Sequence, residues 1–210
     1  QYLADDGSYF LNIKEHCDDG QRNLYVKDLT IQHVREWGWL FVDELCWKKQ
    51  AVPGLYGCRF KNGWEPVFHF TKSTCKTSFD NVKNYSKNVP SGSIGSNAEM
   101  QGIASPFTGK EPGMALPSNV IEVSIDSAGV GTHSARYPVA LPEFFIKAYS
   151  DKDDLILDPF LGSGTTLIAA ARQGRKCYGM EISPAYCDVI RKRWTAYAKE
   201  NGLEAGSGAL

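Results

Sequence analysis

Short apolar runs alternate with amphipathic stretches along much of this 210-residue chain. Apolar runs bounded by turn residues predict strands, and apolar residues that recur every three to four positions predict helices. The predicted strands lie at 8–13, 39–47, 65–71, 119–124, 155–157 and 175–180, and the predicted helices at 22–36, 141–149, 167–172 and 184–200. In the first helix the residues with helical spacing are Leu24, Val26, Leu29, Ile31, Val34 and Trp37. Strands and helices in this arrangement indicate an α/β fold.

The stretch 153–167 carries the clearest candidate chemistry. Its apolar residues 155–157 have the character of a strand buried on both faces, and Asp158 follows them directly. The next turn, Phe160-Leu-Gly-Ser-Gly164, holds two glycines, which allow a backbone to approach a ligand closely. One of the two threonines after the turn is expected to cap the following helix. Strand, turn and helix N-terminus together predict a site for a polar or anionic small molecule.

Three classes of ligand bind to such a turn. A nucleoside triphosphate requires a Lys after the second glycine, and no Lys follows Gly164. A dinucleotide favours a third glycine three residues after Gly164, where this chain has Leu167. The third class is S-adenosylmethionine, because Glu181 stands at the end of the next predicted strand, where a carboxylate can accept hydrogen bonds from both ribose hydroxyls. A plain turn with a solvated Glu181 is the alternative, since a lone Gly-x-Gly is a weak signal.

Three segments in a fixed order give a more specific signal. Asp158-Pro-Phe-Leu-Gly-Ser-Gly-Thr-Thr166 closely resembles the cofactor motif of the amino DNA methyltransferases, which methylate adenine N6 or cytosine N4. The segments Gly179–Tyr186 and His133–Ile146 resemble two further motifs of that family, in the permuted order found in type II restriction–modification systems. The resemblance implies a Rossmann-like, S-adenosylmethionine-dependent methyltransferase core with an inserted target-recognition region.

The same resemblance assigns residues to the cofactor. Asp158 and the glycine turn 162–164 flank the methionine part, Glu181 holds the ribose, and residues 134–137 help to close the methionine end. The full set implied for S-adenosyl-L-methionine is His133, Ser134, Ala135, Arg136, Tyr137, Asp158, Pro159, Phe160, Gly162, Ser163, Gly164, Thr165, Glu181 and Ile182.

The catalytic motif of the family, Ser, Asp or Asn followed by Pro-Pro and an aromatic residue, does not occur in this sequence. In the permuted order it precedes Ser8, so we expect it upstream of Gln1, in a parent chain of which this is an N-terminally truncated part. Its strand is expected between the strands predicted at 155–157 and 8–13, and we expect this chain alone to be inactive. The implied divisions are a catalytic-half segment at 1–73, a target-recognition insertion at 74–131, a cofactor-binding half at 132–201 and a flexible tail at 202–210.

Charge is unevenly distributed, although the net charge is only −1. The segment from Trp47 to Pro90 contains eight Lys or Arg residues and only two acidic residues. Such an excess of positive charge is typical of a surface that binds a polyanion. A solvated loop face is the alternative. The candidates for contact with duplex DNA are Lys48, Lys49, Arg59, Lys61, Lys76 and Lys83. Trp47 and Trp64 are candidates to stack on an extruded base, and packing at a strand end is the alternative for each.

The predicted parent function is therefore site-specific methylation of an amino group of adenine or cytosine in duplex DNA. An RNA or small-molecule methyltransferase on the same fold, or a non-catalytic DNA- or cofactor-binding remnant, are the alternatives. The six cysteines form no C-x-x-C pair and suggest no metal site. The sequence contains neither a signal peptide nor an apolar run of membrane-spanning length. From this cysteine usage and the lack of such segments we expect a cytoplasmic protein without membrane contact. A restriction endonuclease is expected as a genetic partner, and the protein as a monomer or dimer.

Overall fold

The computed structural model describes residues 3–49, 57–82, 84–85, 114–115, 117–123 and 137–203. Within these ranges the chain has a mixed α/β structure, as predicted, with one four-stranded sheet and one two-stranded parallel sheet as its main parts. In chain order the elements are β1 (Ser8–Asn12), β2 (Cys17–Asp18), β3 (Gln21–Arg22), α1 (Tyr25–Arg35), β4 (Leu40–Lys48), β5 (Trp64–Thr71), a 3-10 turn (Phe79–Val82), β6 (Asn84–Tyr85), β7 (Met114–Ala115), β8 (Val120–Glu122), α2 (Ala140–Tyr149), β9 (Leu155–Asp158), α3 (Thr165–Arg172), β10 (Lys176–Gly179) and α4 (Pro184–Glu200).

The four-stranded sheet has the order β1-β5-β4-β8. Strands β1 and β4 both run antiparallel to β5, while β8 runs parallel to β4, with Cys46 opposite Val120. Successive side chains of a strand point to opposite faces, so Val67 and Phe68 of β5 enter two different cores. The four-stranded sheet is therefore buried on both sides.

A different helix covers each face of this sheet. On one face Leu141 and Phe145 of α2 pack with Trp47 and Val67. On the other face Val26 of α1 packs with Phe68 and its neighbours. Each of these side chains is at least nine-tenths buried, and burial of a side chain of this size stabilises the fold by about 1.5–3 kcal/mol.

The two-stranded sheet forms a βαβ unit. Strands β9 and β10 are parallel, with Leu155 opposite Lys176, and α3 makes the connection that a parallel pair requires. The small residues Ala169 and Ala170 of α3 are fully buried against Ile146 of α2. Helix α2 therefore packs against the cofactor half through Ile146 and against the four-stranded sheet through Phe145.

Strand β9 has one unpaired edge among the described residues, and Leu155 and Leu157 lie together on one of its faces. In the described part of the chain β9 pairs only with β10, and β1 pairs only with β5. Leu155 and Leu157 are 54% and 48% exposed, which is unusual for leucines in a central strand. No backbone hydrogen bonds join the two main sheets within the described ranges.

Helix α1 corrects two details of the sequence prediction. It begins at Tyr25 and not at residue 22, because Gln21–Arg22 form β3 and pair with β2. Only Val26 and His33 of the helix are buried. The predicted apolar face is wrong for Leu24, Ile31, Val34 and Trp37, which are 66%, 46%, 40% and 54% exposed. The spacing identified a helix but not the side that packs on the sheet.

Candidate functional site

The glycine-rich turn joins β9 to α3 and adopts a backbone that only glycine accepts readily. Gly162 and Gly164 have φ angles of +55° and +81°, in the left-handed region where a Cβ atom is strained. Gly164 itself occupies the N-cap position of α3 and no side chain caps the helix. The predicted threonine cap is therefore wrong, because Thr165 and Thr166 lie inside the first turn and are buried. Among the described residues no side chain caps α3, and the N-terminus of a helix favours an acceptor or an anion.

Glu181 lies next to this turn, as the sequence predicted for a ribose-binding carboxylate. Its Oε2 atom accepts a hydrogen bond of 2.9 Å from the N–H of Gly162, and its Oε1 atom accepts one of 2.8 Å from the N–H of Ser183. Each carboxylate oxygen has a second lone pair. Glu181 can therefore fix the turn and still accept hydrogen bonds from a bound hydroxyl.

Tyr137 brings the third predicted cofactor segment against the same turn. Its hydroxyl lies 2.9 Å from Oγ1 of Thr166. Burial, followed by the nearby charge of Asp158, raises the pKa of Tyr137 to about 12, so its hydroxyl keeps its proton at physiological pH. Asp158 also accepts a hydrogen bond of 2.9 Å from the N–H of Phe160. The other members of that segment, His133, Ser134, Ala135 and Arg136, lie outside the described residues.

An open cleft of about 440 Å³ lies beside Glu181. Pro159, Phe160, Met180 and Ile182 form the rest of its lining. The side chains of Phe160, Met180 and Ile182 are 86%, 59% and 98% exposed, which is rare for apolar residues of this size. Apolar walls with one carboxylate are suited to a flat heterocycle linked to a sugar.

Two residues of the site were not predicted from the sequence. Gly179 ends β10, and a Cβ atom at this position would lie 2.5 Å from Cδ2 of Leu161, so a larger residue would force Leu161 to shift. Arg193 of α4 donates hydrogen bonds to the backbone and side chain of Ser163. The clash at Gly179 depends on the folded position of Leu161, and Arg193 lies 30 residues from its partner, so neither contact has a local sequence signal.

The basic residues predicted to contact DNA are partly engaged in ion pairs. Lys48 lies 2.8 Å from Glu122, and Lys49 lies 2.8 Å from Glu65. The hydrogen bond and charge of Glu122 raise the pKa of Lys48. The Lys48–Glu122 pair is exposed and contributes little stability, so a phosphate group could replace Glu122. In the Lys49–Glu65 pair the two side chains are only 20% and 18% exposed.

Lys76 has a different setting from the other predicted DNA contacts. It bridges Asp151 and Asp154, at 2.8 Å and 3.0 Å, and so ties the chain after β5 to the loop before β9. The hydrogen bond from Lys76 lowers the pKa of Asp151. Arg59 is half-buried, Lys61 is exposed, and Lys83 lies outside the described residues.

The two candidate stacking tryptophans differ in accessibility. Trp47 is only 2% exposed and packs in the core beneath α2, so the structure supports packing at a strand end for this residue. Trp64 is 49% exposed at the start of β5 and stays a candidate.

The sequence model of the DNA methylase family N6_N4_Mtase matches residues 1–192. This chain belongs to that DNA methylase family. The match includes the four-stranded sheet, the glycine-rich turn and most of α4. The family predicted from the three motifs is therefore confirmed.

Individual methylases agree with the family and the fold. The type II methyltransferase M.PvuII of Proteus hauseri is 36% identical over 88 residues, which are 37% of this chain and 26% of that protein. The solved structure of the cytosine-N4-specific PvuII DNA methyltransferase superposes with a TM-score of 0.69 at 23% identity, over 91% of this chain and 64% of that one. A complex of M1.HpyAVI with S-adenosylmethionine superposes with a TM-score of 0.59 at 21% identity, over 90% and 75%. The part of this chain that aligns with the Proteus methylase corresponds to about a quarter of that protein's length.

Among the residues that the structure describes, no helix has both the length and the apolar character needed to cross a membrane.

Proposed function

We propose that this chain provides the cofactor-binding half and part of the catalytic half of an enzyme that methylates an exocyclic amine in duplex DNA. S-adenosylmethionine is the proposed methyl donor, and adenine N6 or cytosine N4 the acceptor. The observation that carries the proposal is the set of contacts among Glu181, the turn 162–164 and Tyr137. Glu181 lines the cleft and accepts a hydrogen bond from the N–H of Gly162, and Tyr137 reaches Thr166 in the helix that follows the turn. All three belong to the matched part of the DNA methylase family.

The parts of the site suit different parts of this cofactor. The apolar cleft beside Phe160 and Ile182 suits the adenine ring, and Glu181 can accept hydrogen bonds from the ribose. The turn at Gly162–Gly164 and the N-terminus of α3 suit the methionine carboxylate. When bound, S-adenosylmethionine supplies an electrophilic methyl group: a new N–C bond forms as the S–C bond breaks, and the acceptor amine loses one proton.

The groups that orient the acceptor amine are proposed to come from the chain that precedes Gln1 in the parent protein. The open edges of β9 and β1, and the exposed Leu155 and Leu157, support this proposal. A strand between them would pair with the unpaired edges of β9 and β1 and would bring a polar catalytic motif to the end of the sheet where Glu181 lies. We therefore expect the 210-residue chain alone to lack transferase activity.

DNA is proposed to contact the basic segment between β4 and β5 and the insertion at 74–131. Lys48, Lys49 and Lys61 are the described lysines that stand at or between the ends of those strands. The Lys48–Glu122 ion pair is exposed and weak enough to exchange with phosphate. A cognate restriction endonuclease would be a genetic partner, and the protein is proposed to act as a monomer or dimer in the cytoplasm.

The proposal is tested with the full-length protein and one matched pair of variants. Calorimetric titration with S-adenosylmethionine and S-adenosylhomocysteine, and transfer of a tritiated methyl group to duplex DNA, give binding and activity separately. Glu181→Gln is expected to weaken cofactor binding about 10-fold, since a neutral amide oxygen accepts hydrogen bonds less strongly than a carboxylate. Glu200→Gln, at the exposed end of α4, is the control and should leave binding unchanged.

Two results would overturn the proposal. If the wild-type protein bound neither cofactor form, the cleft beside Glu181 would have another ligand. If it transferred methyl groups to structured RNA and not to duplex DNA, the substrate assignment would be wrong.

A further inference from the structure

Helix α4 supports the glycine-rich turn from behind. Its residues Ile190 and Arg193 are three positions apart and so lie on one side of the helix. Ile190 is 3% exposed, and Arg193 is half-buried. Both side chains reach the segment 163–165, which joins the turn to α3.

Ile190 packs against the strained point of the turn. A Cβ atom built on Gly164 would lie 3.3 Å from Cγ1 of Ile190, closer than ordinary van der Waals contact. Gly164 also has a φ of +81°, which disfavours a side chain independently of the available space. The packing of α4 therefore limits how far this peptide can move toward the helix.

Arg193 binds to the same segment through polar contacts. Its Nη1 atom donates to the carbonyl oxygen of Ser163 at 2.5 Å and to Oγ of Ser163 at 2.9 Å, and lies 3.3 Å from Oγ1 of Thr165. Ser163 and Thr165 are 6% and 4% exposed. Buried oxygens that lose a donor are costly, and bonds from a charged donor are stronger than neutral ones.

The turn is thus held at both ends by residues distant in sequence. Glu181 accepts the N–H of Gly162 at one end, and Arg193 binds Ser163 and Thr165 at the other. Between these two anchors lie the glycine peptides that face the proposed methionine site.

We infer that Arg193 is a positioning residue, which acts through Ser163 and Thr165 to keep the cofactor turn in its binding shape. The inference rests on the proposed function, since the ligand of the turn is taken to be S-adenosylmethionine. Arg193 lies behind the turn and acts on the peptides that contact the cofactor. Loss of Arg193 therefore weakens the binding of S-adenosylmethionine and of S-adenosylhomocysteine by the same factor. The maximal rate at saturating cofactor stays unchanged, because binding in the ground state and the transition state is affected alike.

The test compares two arginines of one helix in the full-length protein. Arg193→Met removes the donor, whereas Arg191→Met removes an equal charge from a side chain that is 56% exposed and pairs with Asp188 at 3.0 Å. Arg193→Met is expected to raise the Kd of both cofactor forms about 10-fold and the KM for S-adenosylmethionine likewise, with kcat within about two-fold of wild type. Arg191→Met should change neither constant.

A conservative variant separates positioning from general stability. Arg193→Lys keeps a charged donor that can reach the same oxygens, and it is expected to recover at least half of the lost binding free energy, seen as a Kd within about three-fold of wild type. Equal cofactor Kd values for wild type and Arg193→Met, equal losses in the two Met variants, or a loss of kcat without a change in Kd would each overturn the inference. If Arg193→Met does not fold, the cofactor Kd values of Arg193→Lys and Arg193→Gln are compared instead. Equal Kd values for these two variants would overturn the inference. A wild-type protein that binds neither cofactor form overturns the proposed function instead.

Discussion

The buried imidazole of His69 is expected to make the stability of this protein fall in mild acid. His69 lies in β5 and is 1% exposed, with its ring stacked 4.3 Å from that of Phe10. Its Nε2 atom lies 2.9 Å from Oγ of Ser8, and its Nδ1 atom has no partner among the described residues. Burial lowers the pKa of His69 from 6.5 to about 4, although the charge of Asp43 opposes this effect.

The sign and size of the effect follow from these two pKa values. Below pH 6.5 the unfolded chain binds a proton at His69, whereas the folded chain binds it only near pH 4. Folding stability is therefore lost as the pH falls through this interval. Each pH unit corresponds to about 1.4 kcal/mol. Protonation of the unfolded state at His69 therefore costs about 3 kcal/mol of folding stability by pH 4.

Urea unfolding, followed by tryptophan fluorescence at a series of pH values between about 7 and 4, measures this loss. In His69→Phe the free energy of unfolding should fall by about 3 kcal/mol less over that range than in the wild type. His16→Asn is the control, because His16 is exposed in the loop before β2, and its curve should follow the wild type. The carboxylates of Asp151 and Asp154, whose pKa values are lowered, titrate below this range. Parallel curves for wild type and His69→Phe would refute the reasoning.

Three further predictions concern the site. Gly179→Ala places a methyl group against Leu161 and displaces the turn, so calorimetry should find cofactor binding weakened at least about 10-fold; unchanged affinity would mean that Leu161 moves aside freely. Tyr137 keeps its proton up to a pKa of about 12, so cofactor affinity should show no Tyr137-dependent change between about pH 7 and 10, and identical pH profiles for wild type and Tyr137→Phe are the check. Lys61→Met should lower DNA affinity and reduce the slope of log affinity against log salt concentration by about one. Lys76→Met should change this slope less, because Lys76 is already paired with two aspartates. Equal slopes for the two variants would contradict this difference.

Local patterns predicted the parts of this fold whose signals are local. The strands predicted at 8–13 and 65–71 appear at Ser8–Asn12 and Trp64–Thr71, because compact apolar runs have few alternatives to a strand. The glycine-rich turn and the carboxylate after the next strand were visible in the sequence, whereas the hydrogen bond from Gly162 to Glu181 was not predicted.

Contacts between distant segments could not be predicted in the same way. Trp47 stands at the end of an apolar run, a position compatible with either stacking on a base or packing in a core. The tertiary structure shows that α2 covers it. The helical spacing in α1 marked Ile31 and Val34 as inward, although the short part of the helix that touches the sheet buries Val26 and His33. Hydrophobic spacing identifies a candidate face, and the neighbouring elements decide which residues of it are covered.

The shape of the cofactor turn is a property of the whole fold rather than of its motif. Its conformation depends on Glu181 after β10 and on Arg193 in α4, and Tyr137 before α2 holds the first turn of the helix that follows. A glycine-rich sequence alone makes the left-handed backbone accessible, but it also makes other backbones accessible, because glycine loses more conformational freedom on folding than any other residue. The three distant hydrogen-bonding residues offset that entropic cost and select one conformation. A short Gly-x-Gly is therefore weak evidence for a cofactor site by itself, because the contacts that fix its shape lie outside the motif.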